Sequence, residues 1–90
     1  MKNLFKEMQI EIYQCPKCEQ WIYSRTQRDM KYCKCGALAV DGGHYEDDVL
    51  KCEKIIGILH PKHKIVTVEV TREHLYSDWN ESIDRFGVYK

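Results

Sequence analysis

The sequence predicts an α+β fold: an antiparallel β unit, extended by a β-hairpin and covered by a C-terminal helix. Three patterns carry that prediction. "MQIEIYQC" at Met8–Cys15 alternates apolar and polar residues with the period of a half-buried strand. Two tight cysteine pairs follow, "CPKC" at Cys15–Cys18 and "CKCG" at Cys33–Gly36, with fourteen residues between them. Near the end the period changes, and Leu75, Trp79, Ile83 and Phe86 recur at helical intervals along one stripe.

Taken in order, the first strand sets Met8, Ile10 and Ile12 on one face and Gln9, Glu11 and Tyr13 on the other. "QWIYS" is aromatic and β-branched, so the first cysteine pair sits in the turn between two strands. "RTQRD" is a polar loop. "MKYC" leads into the second pair, and "ALAVDGG" leaves it as a short strand ending in an Asp-Gly-Gly turn. "VLKCEKIIGIL" and "KIVTVEV" read as two strands of a hairpin split by "HPKH", with Pro61 suited to the first central position of the turn. Thr71 is placed to cap the helix, Glu73 suits its first turn, and Gly87 is a natural stop. One domain over residues 1–90 is expected, with a cysteine-bearing β unit at 8–43, the hairpin at 48–70 and the helix at 72–86.

Ninety residues form only a small core, which a staple would support. No stretch approaches the roughly 18 consecutive apolar residues of a membrane helix, and the first residues carry charge where a signal peptide is apolar, so a soluble intracellular protein is expected. Fourteen basic residues balance fourteen acidic ones. A domain that binds phosphate backbones usually shows a basic excess, so the total gives no support to generic nucleic-acid binding.

Five cysteines is an odd number, and in a reducing compartment pairs at this spacing point to a metal or redox site before a disulfide framework. Tetrahedral Zn²⁺ needs four sulfurs at about 2.3 Å, and two turns facing each other from neighbouring hairpins supply them. Cys15, Cys18, Cys33 and Cys35 are therefore the expected ligands of one structural zinc ion, which makes the β unit zinc-ribbon-like. The second pair is C-x-C, one residue shorter than the first, and Glu19 stands where a glycine often follows such a turn. A redox dithiol at C-P-K-C is the chemical alternative, but it needs a helix after the first cysteine and leaves the second pair unexplained. A closed four-sulfur shell has no open position for water or substrate, so no catalytic residue is assigned.

Cys52 is expected to be a small buried side chain on the inner face of a strand, and His60 and His63 exposed turn residues. "DGGHYEDD" at Asp41–Asp48 lacks the ligand spacing of a calcium loop. Lys17, Trp21, Arg25, Arg28, Lys31, Tyr32 and Lys34 lie around the cysteine turns and form the candidate nucleic-acid surface, with the cations on phosphates and Trp21 or Tyr32 stacking on bases.

The arrangement "CPKCEQWIYS…D…CKCGALAVDGG" resembles a family of small, uncharacterised phage-encoded proteins with two cysteine knuckles and a V-D-G-G turn. Cys15, Cys18, Ile22, Ser24, Asp29, Cys33, Cys35, Gly36, Val40, Asp41, Gly42 and Gly43 carry the resemblance. Similar proteins continue with a Tyr and a basic pair, whereas this chain runs "HYEDDVLK". The resemblance implies a phage product in the bacterial host cytoplasm that binds a host protein, of host-takeover or anti-defence type. A nucleic-acid-binding zinc ribbon is the second expectation and a CxxC redox enzyme the third. Neither a membrane nor a small-molecule substrate is expected as a partner.

Overall fold

In the computed structural model, which describes residues 7–89, the alternating N-terminal segment is the central strand β1 (Glu7–Gln14). One whole edge of β1 pairs antiparallel with β8 (Lys62–Glu69), from Glu7 opposite Glu69 to Gln14 opposite Lys62. Two shorter strands share its other edge. β6 (Val49–Lys51) runs parallel to it at Gln9–Ile10, and β2 (Trp21–Ile22) runs antiparallel at Tyr13–Gln14. β5 (His44–Glu46) extends the sheet beyond β6, and β9 (Val88–Tyr89) extends it beyond β2. A second sheet is made of β3 (Lys31–Tyr32), β4 (Ala39–Asp41) and β7 (Lys54–Ile56), with β4 in the middle.

Strand alternation divides the interior into two cores on opposite faces of the large sheet. Ile10 and Ile12 point to one face and pack with Tyr23, Leu50, Val70 and Leu75. Tyr13 and its partner Ile22 point to the other, where they meet Cys15, Cys33, Leu38 and Val40 beside the small sheet. Fully burying each large aliphatic side chain stabilises the fold by roughly 1.5–3 kcal/mol. The C-terminal end of β1 is thus covered on both faces, while Glu7 and Gln9 near its start are exposed.

The structure is mostly β, with 41% of the described residues in strands and 11% in a single short helix. This corrects the predicted α+β class, and three local findings explain it. First, α1 spans only Arg72–Asn80. Of the predicted stripe only Leu75 is fully buried and Ile83 is 53% exposed, because the chain leaves the helix before reaching it. The side chain of Asp78 accepts the backbone N–H groups of Arg85 (2.8 Å) and Phe86 (2.9 Å), and Ser82 and Asp84 take left-handed backbone angles, so the segment folds back on the helix. Gly87 has φ +99, but it lies beyond this reversal and does not end the helix.

Second, the predicted hairpin across 48–70 does not form. The chain changes sheets at Glu53, whose N–H donates to Asp41 O (2.9 Å) and Gly42 O (3.0 Å), so β6 and β7 belong to different sheets and β8 pairs with β1. Gly57 makes this path possible: a Cβ there would lie 2.1 Å from the Ala37 carbonyl oxygen. Third, the first cysteine turn joins β1 to β2 within the large sheet and the second joins β3 to β4 within the small one, and β1 with β6 is a parallel pair, so there is no single antiparallel ribbon.

Thr71 does cap α1, its hydroxyl accepting the His74 N–H at 3.1 Å. Replacing Thr71 with Ala is expected to lower stability by about 1 kcal/mol. Urea melts of metal-loaded protein measure this, and an unchanged midpoint would show the cap to be idle.

Candidate metal centre

Each pair of cysteines sits in a turn that the backbone closes on itself. In the first, Cys15 N–H donates to Gln20 O (3.1 Å) and Glu19 N–H to Cys15 O (2.8 Å). Glu19 adopts φ +62, the left-handed angle that a glycine would take at less cost. In the second, Gly36 at φ +78 allows its N–H to reach Cys33 O at 2.9 Å, while Cys33 N–H bonds Leu38 O at 2.9 Å. Gln20 ties the turns together: its side-chain oxygen accepts the Lys34 N–H at 2.7 Å.

The result is a cluster in which the sulfurs of Cys15, Cys18, Cys33 and Cys35 all lie within 4.8 Å of one another. Cys35 Sγ is 3.6 Å from both Cys15 Sγ and Cys33 Sγ. A disulfide would require about 2.05 Å. Sulfurs at the corners of a tetrahedron around a metal ion, each about 2.3 Å from it, stand about 3.8 Å apart. The donor set therefore fits a tetrahedral thiolate-bound cation.

Backbone groups are already aimed at these sulfurs. Lys17 N–H reaches Cys15 Sγ at 3.4 Å and Leu38 N–H reaches Cys33 Sγ at 3.3 Å, and the N–H groups of Gln20 and Ala37 serve Cys18 and Cys35. Such bonds favour thiolates. For Cys18, burial pushes the thiol up, but the N–H groups of Gln20 and Cys35 and the thiols of Cys33 and Cys35 bring it down to about 6. Cys33 is likewise lowered: burial opposes, while Leu38 N–H and the thiols of Cys35 and Cys15 prevail. At Cys35 the Ala37 N–H lowers the thiol, yet burial and the three neighbouring sulfurs push it up to about 11. Four sulfurs this close cannot all carry charge unless a cation lies among them.

Cys52 stands apart from this cluster. It lies in the break between β6 and β7, half-buried and not on a strand, with its thiol raised by burial beside Tyr13 and Glu11. His63 is on β8 and not in the turn; it bonds Glu11 at 2.9 Å and stacks on Tyr13. His60 is exposed.

The candidate nucleic-acid residues are not equivalent. Lys17, Arg28 and Lys34 are exposed, Lys31 is half-buried, and Tyr32 is 54% exposed on the small sheet. Trp21 is half-buried on the large sheet with Lys64 Nζ 4.7 Å from its ring centroid, so the two aromatic residues belong to different sheets. Arg25 is only 5% exposed and committed to carboxylates. Its guanidinium holds Asp29 with two bonds (2.7 and 3.1 Å), Asp78 at 2.6 Å and Asp84 at 3.1 Å.

This buried cluster is a feature that sequence reasoning did not identify. Around it, the Ser24 hydroxyl donates to Asp29 O (2.6 Å) and accepts the Gly43 N–H (3.0 Å). Gly43 fits because a Cβ there would be 2.7 Å from the Ser24 carbonyl oxygen. Ser24, Asp29 and Gly43, noted above only as part of a motif, thus build one loop clamp. The four-residue spacing of Arg25 and Asp29 was the available clue; Asp78, fifty-three residues away from Arg25, gave none.

A family described as a domain of unknown function (DUF7695) matches residues 9–46, a span that contains all four clustered cysteines and the Ser24–Asp29–Gly43 clamp but not α1 or β6 to β9. No curated protein and no solved structure matches this chain.

Proposed function

We propose that this chain is a small binding protein whose tetrahedral Zn²⁺, held by Cys15, Cys18, Cys33 and Cys35, fastens its two sheets together and presents an apolar surface to a partner protein. The zinc supplies cross-linking and charge neutralisation. A four-thiolate shell leaves no position for water or substrate, which supports a structural ion and a protein that is not an enzyme. The resemblance of residues 15–43 to phage-encoded proteins supports a phage accessory protein acting in the bacterial cytoplasm on a host protein.

The observation that carries the binding reading is the apolar face beside the metal turns. Tyr32, Ala39 and Ile56 stand in one cross-strand row of the small sheet, with Tyr32 and Ile56 54% and 39% exposed. Beyond Gly57, Leu59 is 89% exposed and borders a shallow recess in which Pro16, Ile58 and Pro61 alternate with Gln14, Glu19, His60 and Lys62. Neighbouring exposed apolar side chains mark contact surfaces more often than isolated ones do, and the small-sheet row and the Leu59 recess are two such places. Burial of Arg25 favours a protein partner over a nucleic acid, since a central cation of the candidate phosphate surface is already neutralised.

The experiment is affinity capture from bacterial lysate with tagged, metal-loaded protein, alongside the Leu59→Asp variant and elemental analysis. One zinc per chain is expected, with a protein captured by the wild type and at least a tenfold weaker capture by Leu59→Asp, about 1.4 kcal/mol. Iron in place of zinc would refute the metal assignment. Capture indifferent to Leu59→Asp, or salt-sensitive retardation of nucleic-acid probes, would refute the contact surface.

A further inference from the structure

We infer that β8 is a self-complementary edge on which two copies of this protein pair antiparallel about a two-fold axis. Among the described residues β8 pairs only with β1, so its outer edge presents unpaired backbone groups along Lys62–Glu69. The outermost strands at the other ends of this sheet, β5 and β9, are three and two residues long, which makes β8 the long open edge. Proteins usually guard such an edge with charges, bulges or proline. Here Lys64, the charge nearest its middle, is turned across the sheet toward Trp21 (4.7 Å) and Tyr89 (6.0 Å), and Ile65 beside it is 51% exposed.

The charge along the edge identifies the occupant. Lys62, His63 and Lys64 stand at one end, and Glu69 stands at the other directly opposite Glu7 of β1. Like charges facing each other across a ladder destabilise it, and neither carboxylate has an ion-pair partner among the described residues. An antiparallel copy brings its basic end to this acidic end, and does so twice by symmetry.

Symmetry also restricts the register. A two-fold axis perpendicular to the sheet keeps matching faces together, so only residues on the same face of β8 can stand opposite each other. With Val66 on the axis, Ile65 faces Thr67 of the second copy, His63 faces Glu69, and the two Ile65 side chains become diagonal neighbours. A register centred on Lys64 would oppose two ammonium groups. Pairing of one edge buries less than the roughly 1,000 Å² of a stable interface, so the dimer forms and dissociates with concentration.

Sedimentation of metal-loaded protein from about 1 μM to about 1 mM, the span of weak protein affinities, tests this. The wild type is expected to pass from one-chain to two-chain mass, whereas Ile65→Lys and Ile65→Glu each remain single chains with unchanged metal content and circular dichroism. An equimolar mixture of those two variants is expected to regain the two-chain mass, because opposite charges then meet diagonally. A wild type that stays monomeric overturns the inference. So does a dimer that persists in Ile65→Lys, or one abolished by Leu59→Asp instead, which would place the contact at the recess beside the first cysteine turn.

Discussion

Removal of the metal is expected to unfold this protein. Structural zinc contributes on the order of 10 kcal/mol to domains that fold around it. The whole stability of a small domain is about 5–15 kcal/mol. Here one cysteine turn belongs to the large sheet and the other to the small one, and Cys15 and Cys33 are part of the core between them. Without a cation the neighbouring sulfurs push the Cys35 thiol up, so the four sulfurs cannot all ionise, and the second core loses its cross-link. Chelation at neutral pH should therefore abolish the cooperative thermal transition and collapse the dispersion of amide resonances, with both restored by added Zn²⁺. Cys15→Ser should reproduce the loss. A chelated chain that keeps its dispersed spectrum would remove the metal from its structural role.

Breaking the Arg25 cluster is the second large effect. Arg25→Met leaves Asp29 and Asp78 as buried carboxylates without their cation, and cutting a buried pair in this way costs about 3–5 kcal/mol. Asp78→Asn is milder in charge, yet it removes an anion that serves Arg25 and two backbone N–H groups at once. Burial pushes the Asp78 carboxyl up, but the Phe86 N–H, the Arg25 guanidinium and the Arg85 N–H hold it below the usual carboxylate range. A carboxyl depressed in the folded state stabilises fully above its unfolded value, about pH 4, and ceases to do so as pH falls through the lower folded value. The stability difference between wild type and Asp78→Asn should thus be constant near neutrality and begin to shrink as pH falls toward about 4, compared over the range in which both proteins hold their metal, since acid protonates the thiolates. Urea melts across that range measure it; a difference independent of pH would mean that the carboxylate charge contributes nothing.

Local pattern made several features legible. β1 could be read from strict alternation, the clustering of the four sulfurs from paired spacing, and the Thr71 cap from a hydroxyl residue ahead of a helical period. Each of these depends on residues within a few positions of one another. The C-terminal stripe was misleading because periodicity reports only which side chains would share a face if the helix continued. It did not register that Asp78 would capture the Arg85 and Phe86 N–H groups and reverse the chain. Likewise the run from Val49 to Leu59 holds two β-branched and aliphatic stretches, Val49–Leu50 and Ile55–Leu59, but propensity does not assign a strand to a sheet.

What the amino-acid order established alone is therefore the inventory of this protein: one thiol set placed to hold a metal ion, a two-faced central strand and a capped helix start. Which strand pairs with which was decided by long-range contacts. β8 takes the long edge of β1, β6 lies parallel on the other edge, and Glu53 carries the chain to the second sheet. Arg25 shows the physical reason. Its sequence neighbours suggested an exposed cation in a polar loop, but carboxylates fifty-three and fifty-nine residues downstream made its burial favourable, and such compensation exists only once the chain has folded.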